Sequence, residues 1–344
     1  MVYTREELSA MQAWPLEKKV EKTKELIAEW YRYWKGKVFV SFSAGKDSTL
    51  LLHLAREVHP DIPAVFVDTG CEFPENIEFA KTVQNVVWLQ YNIPFDEVLQ
   101  KYGYPVISKE VSKRIYYGRM GKEWALQHLN GNNKDGTHSK YNQQYKKWRH
   151  LLEAPFPIAE KCCSELKLKP LAKYQRESKR VSIVGTMASE SLRRQSAFLK
   201  TGCNRFDGKD PKSKPLSFWT EADVLRYLKE NNVAYSKIYG DIINENGRWR
   251  TTGEKRTGCM FCLCGTHLEK PNRFQRMATT HPELYEHCIN ELGYGFVMDY
   301  LGIPYAPPEK ISVYGGVGQK HERVTQKMNR SPAVKKRKLT EPSR

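Results

Sequence analysis

A glycine, a lysine, an aspartate and several hydroxyl residues directly follow an apolar run near the start of the sequence. The stretch Ser43-Ala44-Gly45-Lys46-Asp47-Ser48, which we call the phosphate loop, separates that run from a helical pattern. A helix start offers unpaired N–H groups and the positive end of its dipole to an anion. Gly45 would allow close backbone approach, Lys46 would add charge, and Asp47 would hold Mg²⁺ or cap the helix. The stretch therefore predicts a phosphate-binding turn.

Clustered cysteines form the second group of residues that can do chemistry. Cys162 and Cys163 are adjacent, and a C-x-x-C pair lies far downstream. Four thiolates suit either a four-iron four-sulfur cluster or a structural zinc ion. Adjacent cysteines favour the cluster, because a cluster spreads its ligands over several irons. The predicted cluster ligands are Cys162, Cys163, Cys259 and Cys262.

Zinc is the alternative metal for the same region. The ligands would then be Cys259, Cys262, Cys264 and His267. The remaining cysteines match no ligand spacing, and we interpret them as structural thiols. These are Cys71, Cys203 and Cys288.

The element pattern predicts an α/β fold with a doubly wound parallel sheet. Short, nearly all-apolar runs alternate with helical patterns, which is typical of parallel strands covered by helices on both faces. Strands are predicted within 37–43, 62–70 and 180–186, with a further strand at 92–100. Helices are predicted at 48–58 and 74–90, and a helix capped by Thr220 is predicted after 217.

Composition divides the chain into successive parts. A smaller, mainly helical C-terminal part carries the C-x-x-C pair, and glycines and charges mark a tail that is expected to be disordered. The predicted parts are an N-terminal helical segment (1–35), a nucleotide-binding α/β domain (36–200) with a basic insertion (109–150), a helical iron–sulfur part (201–308) and a basic tail (309–344).

The net charge of +17 is concentrated in two segments. Residues 109–150 contain ten basic and three acidic residues, and residues 310–344 contain ten and two. Such segments indicate a polyanionic partner, either a nucleotide or nucleic acid. The aromatic residues of the insertion favour stacking on bases, and a flap that closes over a nucleotide is the alternative. No apolar run approaches the roughly 20 residues of a membrane helix, so a cytoplasmic protein without a membrane partner is expected.

The phosphate loop resembles the PP-loop, S-x-G-K-D-S, of the ATP pyrophosphatase and adenine nucleotide α-hydrolase superfamily. It does not match the Walker A pattern, which needs a glycine five residues before Gly45, where this chain has Val40, and a serine or threonine after the lysine, where it has Asp47. The resemblance implies that ATP, bound with Mg²⁺, is cleaved at its α-phosphate and that an acceptor is adenylated. The catalytic residues it implies are Lys46, Asp47 and Ser48, with Ser43, Ala44 and Gly45 completing the pyrophosphate cradle.

The loop and the cysteine pattern together resemble the adenylyl-sulfate and phosphoadenylyl-sulfate reductase family over most of 37–304. This resemblance implies a cluster held by the four cysteines. The segment "VDTGCEFPE" would bring Asp68 and Thr69 near the adenosine. The segment "GTMASESLRRQ" would bring four residues near the phosphates, namely Ser189, Glu190, Arg193 and Arg194.

The resemblance stops at the nucleophilic cysteine that reductases carry in an E-C-G-x-H sequence near the C-terminus. Here the letters Cys264-Gly265-Thr266-His267 lie two residues past Cys262, and no cysteine follows Cys288. The intact loop therefore predicts an AMP-forming PP-loop ATPase with an iron–sulfur cluster, acting in sulfur transfer with a sulfur-donor protein, including tRNA or DNA modification. The alternatives are a thioredoxin-dependent reductase of a sulfonucleotide and a nucleotide-sensing regulatory protein with little turnover.

Overall fold

The computed structural model describes residues 2–208 and 210–307. Apolar and β-branched residues form the interior of this part of the chain. The predicted basic tail lies outside the described residues. Ten strands are present in the described part of the chain. They are β1 (Val38–Phe42), β2 (Ala64–Asp68), β3 (Val86–Gln90), β4 (Val106–Ile107), β5 (Val181–Val184), β6 (Asn204–Arg205), β7 (Lys212–Ser213), β8 (Ile242–Glu245), β9 (Arg248–Thr251) and β10 (Leu263–Cys264).

Six of these strands form one sheet in the order β3-β2-β1-β5-β7-β6. All neighbours are parallel except the edge pair β6 and β7. Four of the five residues of β1 are buried, as expected for a central strand with helices on both faces. The remaining strands form a parallel pair, β4 with β10, and an antiparallel hairpin, β8 with β9. The predicted α/β fold with a mostly parallel sheet is confirmed.

Helices cover the sheet and build the rest of the described chain. The predicted cap of α11 is present, because the Thr220 hydroxyl accepts a hydrogen bond from Asp223 N. The α-helices are α1 (Arg5–Gln12), α2 (Leu16–Tyr33), α3 (Lys46–Val58), α4 (Pro74–Thr82), α5 (Phe95–Tyr102), α6 (Lys109–Arg119), α7 (Glu123–Leu129), α8 (Gln143–Lys146), α9 (Lys169–Ser178), α10 (Leu192–Thr201), α11 (Glu221–Glu230), α12 (Arg273–Thr280), α13 (Pro282–Glu286) and α14 (Tyr294–Leu301). A π-helical turn, Ser164–Leu168, directly follows Cys163.

Two predicted elements are wrong. The helix predicted at 74–90 ends at Thr82, and residues 86–90 form β3 beside β2. The β-branched and aromatic side chains of that run fit a sheet better than a helix. The strand predicted at 92–100 is instead α5, which starts after Pro94 and carries Asp96 and Glu97 in its first turn.

The buried apolar residues form two clusters. The first lies between the sheet and its helices and includes Trp30, Leu50 and Phe66. The second lies under the basic insertion and the cysteine segments and includes Phe261 and Tyr294. Among the described helices, we find none with the length and apolarity needed to cross a bilayer.

Candidate functional site

Three loops meet at the carboxyl edge of the sheet. The phosphate loop follows β1, a second loop follows β2, and a third follows β5. In the sheet, β1 lies between β2 and β5, so the loops that follow these strands diverge to opposite sides of β1. A crevice opens between the diverging loops. Open α/β sheets bind ligands at this switch point.

The phosphate loop is a tight turn closed by its own hydroxyls. Ser43 N donates to Ser48 Oγ at 3.2 Å, and Ser48 Oγ donates to the Gly45 carbonyl at 2.9 Å. Ala44 has a left-handed backbone with φ of 56°, which is uncommon for a residue with a side chain. Gly45 then caps α3, so the free N–H groups of the helix start face the crevice. The turn thus has the geometry that an anion-binding site requires.

Lys46 lies inside this site and is only 3% exposed. Its Nζ donates to the Lys255 carbonyl at 2.9 Å and lies 3.1 Å from Glu221 Oε1. Asp47 Oδ1 is 3.9 Å away. The ammonium group is therefore held among oxygen atoms at the helix start, where a phosphate oxygen could replace one of them.

Asp47 is the carboxylate of the site. Burial raises its pKa, and the positive charges of Lys46, Arg256 and Arg194 act in the opposite direction. Its buried Oδ1 has no hydrogen-bond partner among the described residues. A buried carboxylate oxygen of this kind is suited to a hard cation such as Mg²⁺.

The loop after β2 is fixed by Glu72. Thr69 donates to the Glu72 carboxylate from its hydroxyl at 2.8 Å and from its N–H at 2.9 Å. Asp68 Oδ1 accepts from Gly70 N at 3.0 Å. Asp68 and Thr69 therefore lie at the carboxyl end of β2, and their place near the adenosine stays a prediction. The Thr69 hydroxyl is used within its own loop.

The loop after β5 separates the two predicted arginines. Glu190 pairs with Arg194 and accepts from Met187 N at 2.8 Å, so its carboxylate shapes the loop. Ser189 Oγ donates to the Trp219 carbonyl at 3.2 Å. Arg194 lies near Asp47, whereas the Arg193 side chain is 91% exposed and lies 3.9 Å from Glu110. The structure therefore brings Arg194, but not Arg193, to the phosphate loop.

Gly185, at the start of this loop, is a site residue that the sequence prediction omitted. A Cβ added there would lie 2.9 Å from the Asp47 carbonyl oxygen and 3.1 Å from its carbon. We expect Gly185→Ala to displace the phosphate loop, to lower stability by about 1–3 kcal/mol and to weaken ATP binding. Thermal melting and equilibrium dialysis with ATP would measure both effects.

Gly258→Ala is the control for that melting experiment, because its added Cβ would meet only Arg273 Nη1 at 3.9 Å. We expect it to melt like the wild type. A Gly185→Ala protein with wild-type melting and affinity would contradict the close approach.

The four predicted ligand cysteines lie together. Cys162, Cys163, Cys259 and Cys262 line one cavity, whose other walls are formed mainly by apolar side chains and by Lys167. Thiols gathered from two distant segments, with few competing polar groups, fit the donor set of an iron–sulfur cluster. Within residues 2–208 and 210–307, no three histidine, cysteine or acidic side chains converge as they would around a single metal ion.

Two further cysteines contact this set. Cys71 is fully buried, and the neighbouring Cys259 raises the pKa of its thiol, so the sequence interpretation of Cys71 as a structural thiol missed this proximity. The neighbouring Cys264 lowers the pKa of Cys262, and the Cys264 thiol donates to the Pro105 carbonyl at 3.6 Å. His267, the fourth ligand of the zinc alternative, instead packs against Trp148 with 5.7 Å between ring centroids.

Lysines supply positive charge to the cysteines. Hydrogen bonding with Cys162 lowers the pKa of Cys163, and the adjacent Lys109 lowers it further. Lys167 Nζ lies 3.2 Å from Glu72 Oε1, and the same carboxylate accepts a hydrogen bond from the Thr69 hydroxyl. Positive groups beside thiols favour the thiolate form that binds metal.

The basic insertion uses some of its charges internally. The Arg114 guanidinium stacks on the Tyr145 ring at 3.8 Å, and Arg119 donates to four carbonyl groups of residues 151–156. Tyr145 is buried, so it is not free to stack on a base. Other cations are exposed and have no carboxylate partner within the described chain, including Lys113, Lys122, Lys134, Lys140, Lys146 and Lys147.

The phosphate loop lies at the switch point of a mostly parallel sheet, where proteins of this α/β class bind ligands. Residues 37–109 and 116–262 match the model of the phosphoadenosine phosphosulfate reductase domain, and the chain belongs to this family.

Individual relatives are distant. An uncharacterised protein of Methanocaldococcus jannaschii is 26% identical over 80% of this chain, which spans about half (53%) of that protein's length. A phosphoadenosine 5'-phosphosulfate reductase of Alteromonas mediterranea is 26% identical over 64% of this chain and 71% of its own. The solved phosphoadenylyl-sulfate reductase of Candida auris aligns over 69% of this chain and 91% of its own, with 12% identity and a TM-score of 0.37.

Proposed function

We propose that the chain is an AMP-forming PP-loop ATPase that acts in sulfur transfer with the help of an iron–sulfur cluster. The observation that carries this proposal is the position of Lys46 and Asp47. Both lie at the switch point of the sheet, in a closed S-x-G-K-D-S turn. Residues 253–258 contact this turn, because the Lys255 carbonyl accepts a hydrogen bond from Lys46 Nζ, and Cys259 follows this segment directly in the sequence.

The proposed reaction places the β- and γ-phosphates of ATP, which leave as pyrophosphate, in the phosphate loop. An acceptor oxygen attacks the α-phosphorus, and pyrophosphate leaves toward Lys46, Ser48 and the N–H groups of α3. Asp47 would hold Mg²⁺, and Arg194 adds positive charge where negative charge develops. A hydrosulfide equivalent from a sulfur-donor protein then replaces the adenylated oxygen, which departs with AMP.

We assign the cluster to Cys162, Cys163, Cys259 and Cys262. The thiols surround one cavity, and Lys109 and Lys167 offset the negative charge of the thiolates. A bound cluster would supply an electron-transfer or sulfur-binding group to the reaction. Zinc remains the alternative metal, and iron and zinc analysis of anaerobically purified protein distinguishes the two.

The deciding experiment follows the fate of α-labelled ATP. We expect the full chain, purified anaerobically and supplied with Mg²⁺, to form AMP and pyrophosphate, with a higher rate when tRNA or DNA is added. Formation of labelled ADP would contradict cleavage at the α-phosphate. Tight ATP binding without any product would favour a nucleotide-sensing protein instead.

Reduction of a sulfonucleotide is the second candidate function, and family membership and the reductase relatives favour it. Its test is release of sulfite from phosphoadenylyl sulfate with reduced thioredoxin. Sulfite release without AMP formation from ATP would replace the first proposal with this one.

Nucleic acid is the proposed macromolecular partner, bound along the exposed cations of the basic insertion. The insertion reaches the cysteines, because Trp148 contacts His267 and Lys109 contacts Cys163. Cations without carboxylate partners are available to neutralise phosphates. The exposed aromatic ring of Tyr141 is available to stack on a base.

Reversing two of these charges tests the surface. We expect the double variant Lys146→Glu and Lys147→Glu to bind tRNA more weakly. The slope of the logarithm of the binding constant against the logarithm of the salt concentration should become shallower by about one unit per lost phosphate contact. Fluorescence anisotropy at several salt concentrations measures both. The matched control reverses two exposed cations of α9, Lys173→Glu and Arg176→Glu. Equal loss of binding in both double variants would contradict a specific surface.

A further inference from the structure

Tyr239 and Thr257 reach the phosphate loop from a distant part of the chain. The Tyr239 hydroxyl accepts a hydrogen bond from Lys46 N at 3.0 Å, at the first turn of α3. It lies 2.8 Å from Thr257 Oγ1. A Cβ added at Gly45 would lie 3.3 Å from both hydroxyl oxygens, so the pair lies directly against the loop backbone.

The N–H group of Lys46 is one of those that a phosphate at the helix start would use. A phosphate oxygen that accepts from it must share or replace the Tyr239 hydroxyl. Since the Tyr239 oxygen accepts from Lys46, its own proton is available to Thr257 Oγ1. Phosphate binding would therefore alter the hydrogen bond between Tyr239 and Thr257.

Thr257 is connected to the cysteines by a short stretch of backbone. Cys259 is two residues further on, and the Lys255 carbonyl, two residues earlier, accepts from Lys46 Nζ at 2.9 Å. On the far side, Met260 N donates to the Cys71 carbonyl at 2.8 Å, and Cys262 N donates to the Cys259 carbonyl at 3.1 Å. Residues 255–260 are thus held by hydrogen bonds at Lys255 and at Met260. Because only one residue separates Thr257 from Cys259, a displacement of Thr257 would also move Cys259.

We propose that the Tyr239–Thr257 hydroxyl pair couples phosphate binding at the phosphate loop to the conformation of the cysteines at 259–262. This inference rests on the proposed function and deepens it. Both residues are positioning residues, because they act through Lys46 and Cys259. Nucleotide binding thereby changes the conformation of residues 259–262 before any acceptor reacts.

The test measures the labelling rate of Cys259 by iodoacetamide, resolved by peptide mass spectrometry, in the full chain after bound metal has been removed by chelation, because a thiolate that holds a cluster would not react. The probe is α,β-methylene-ATP with Mg²⁺ at a saturating concentration, and equilibrium dialysis records its binding in each sample. We expect the probe to change the wild-type rate about fivefold, the low end of ordinary coupling between sites. Tyr239→Phe and Thr257→Val should remove most of this change.

Tyr235→Phe is the matched control, because its hydroxyl accepts from Ile242 N at 3.3 Å and belongs to the same region. It should respond like the wild type. A full response in Thr257→Val, or a lost response in Tyr235→Phe, would overturn the role of the hydroxyl pair. A wild-type chain that binds the probe without any change in labelling overturns the coupling alone, whereas a wild-type chain that fails to bind it overturns the proposed function as well.

Discussion

Replacing Lys46 by alanine is expected to reduce the rate of AMP formation from ATP at least about a hundredfold. The ammonium group is buried at the start of α3 and is surrounded by Asp47, Glu221 and the Lys255 carbonyl. Without it, negative charge on the departing pyrophosphate loses its nearest cation. Removing one such preorganised group costs about a hundred- to thousandfold in rate, which a chromatographic assay of α-labelled ATP would measure.

The control for Lys46→Ala is Lys24→Ala. Lys24 is a partly exposed lysine of α2 that pairs with Glu57 at 2.9 Å. Loss of an exposed pair costs at most about 1 kcal/mol, so this variant should retain AMP formation. If Lys46→Ala formed AMP at the wild-type rate, the phosphate loop would not be the site of ATP cleavage.

Replacing Cys259 by alanine is expected to eliminate the iron bound by the chain. Cys259 lines the same cavity as Cys162, Cys163 and Cys262, and three thiols cannot complete a four-cysteine ligand set. Iron analysis and visible absorbance of anaerobically purified protein should change from about four iron atoms per chain to nearly none.

The control for Cys259→Ala is Cys288→Ala. Cys288 is fully buried in the second core, and burial raises the pKa of its thiol, which disfavours the ligating form. The Cys288→Ala protein should retain its iron. Unchanged iron content in the Cys259→Ala protein would contradict the ligand assignment, and stoichiometric zinc in the wild type would replace the cluster by zinc.

The central features could be predicted from the sequence because they are local. The strand, loop and helix of residues 38–58 lie consecutively along the chain, and their apolar pattern and turn residues indicate each element directly. The C-C and C-x-x-C spacings likewise predicted a cysteine cluster, and the structure gathers those four side chains around one cavity. The errors at 86–90 and 95–102 arose in short segments, where helix and strand patterns are hard to distinguish.

Other parts of the site could not be predicted because distant contacts create them. The Tyr239 hydroxyl meets Lys46 only through the folding of the chain, and nothing in the residues around Tyr239 indicates that contact. Cys71 has no spacing typical of a ligand, yet it lies against Cys259. Arg193 and Arg194 are adjacent residues of the same type, so the sequence does not distinguish them. Their side chains point in different directions from the start of α10, Arg193 toward Glu110 and Arg194 toward Glu190.

The division of the buried apolar residues into two clusters has a consequence for how the protein is assembled in a cell. The first cluster encloses the sheet and includes none of the four predicted ligand cysteines, whereas Cys162 and Cys259 pack against the second. We therefore expect a newly made chain to fold its sheet before the proposed cluster is inserted. ATP binding by the Cys259→Ala protein would reveal such an intermediate, in which maturation by metal delivery follows folding of the sheet.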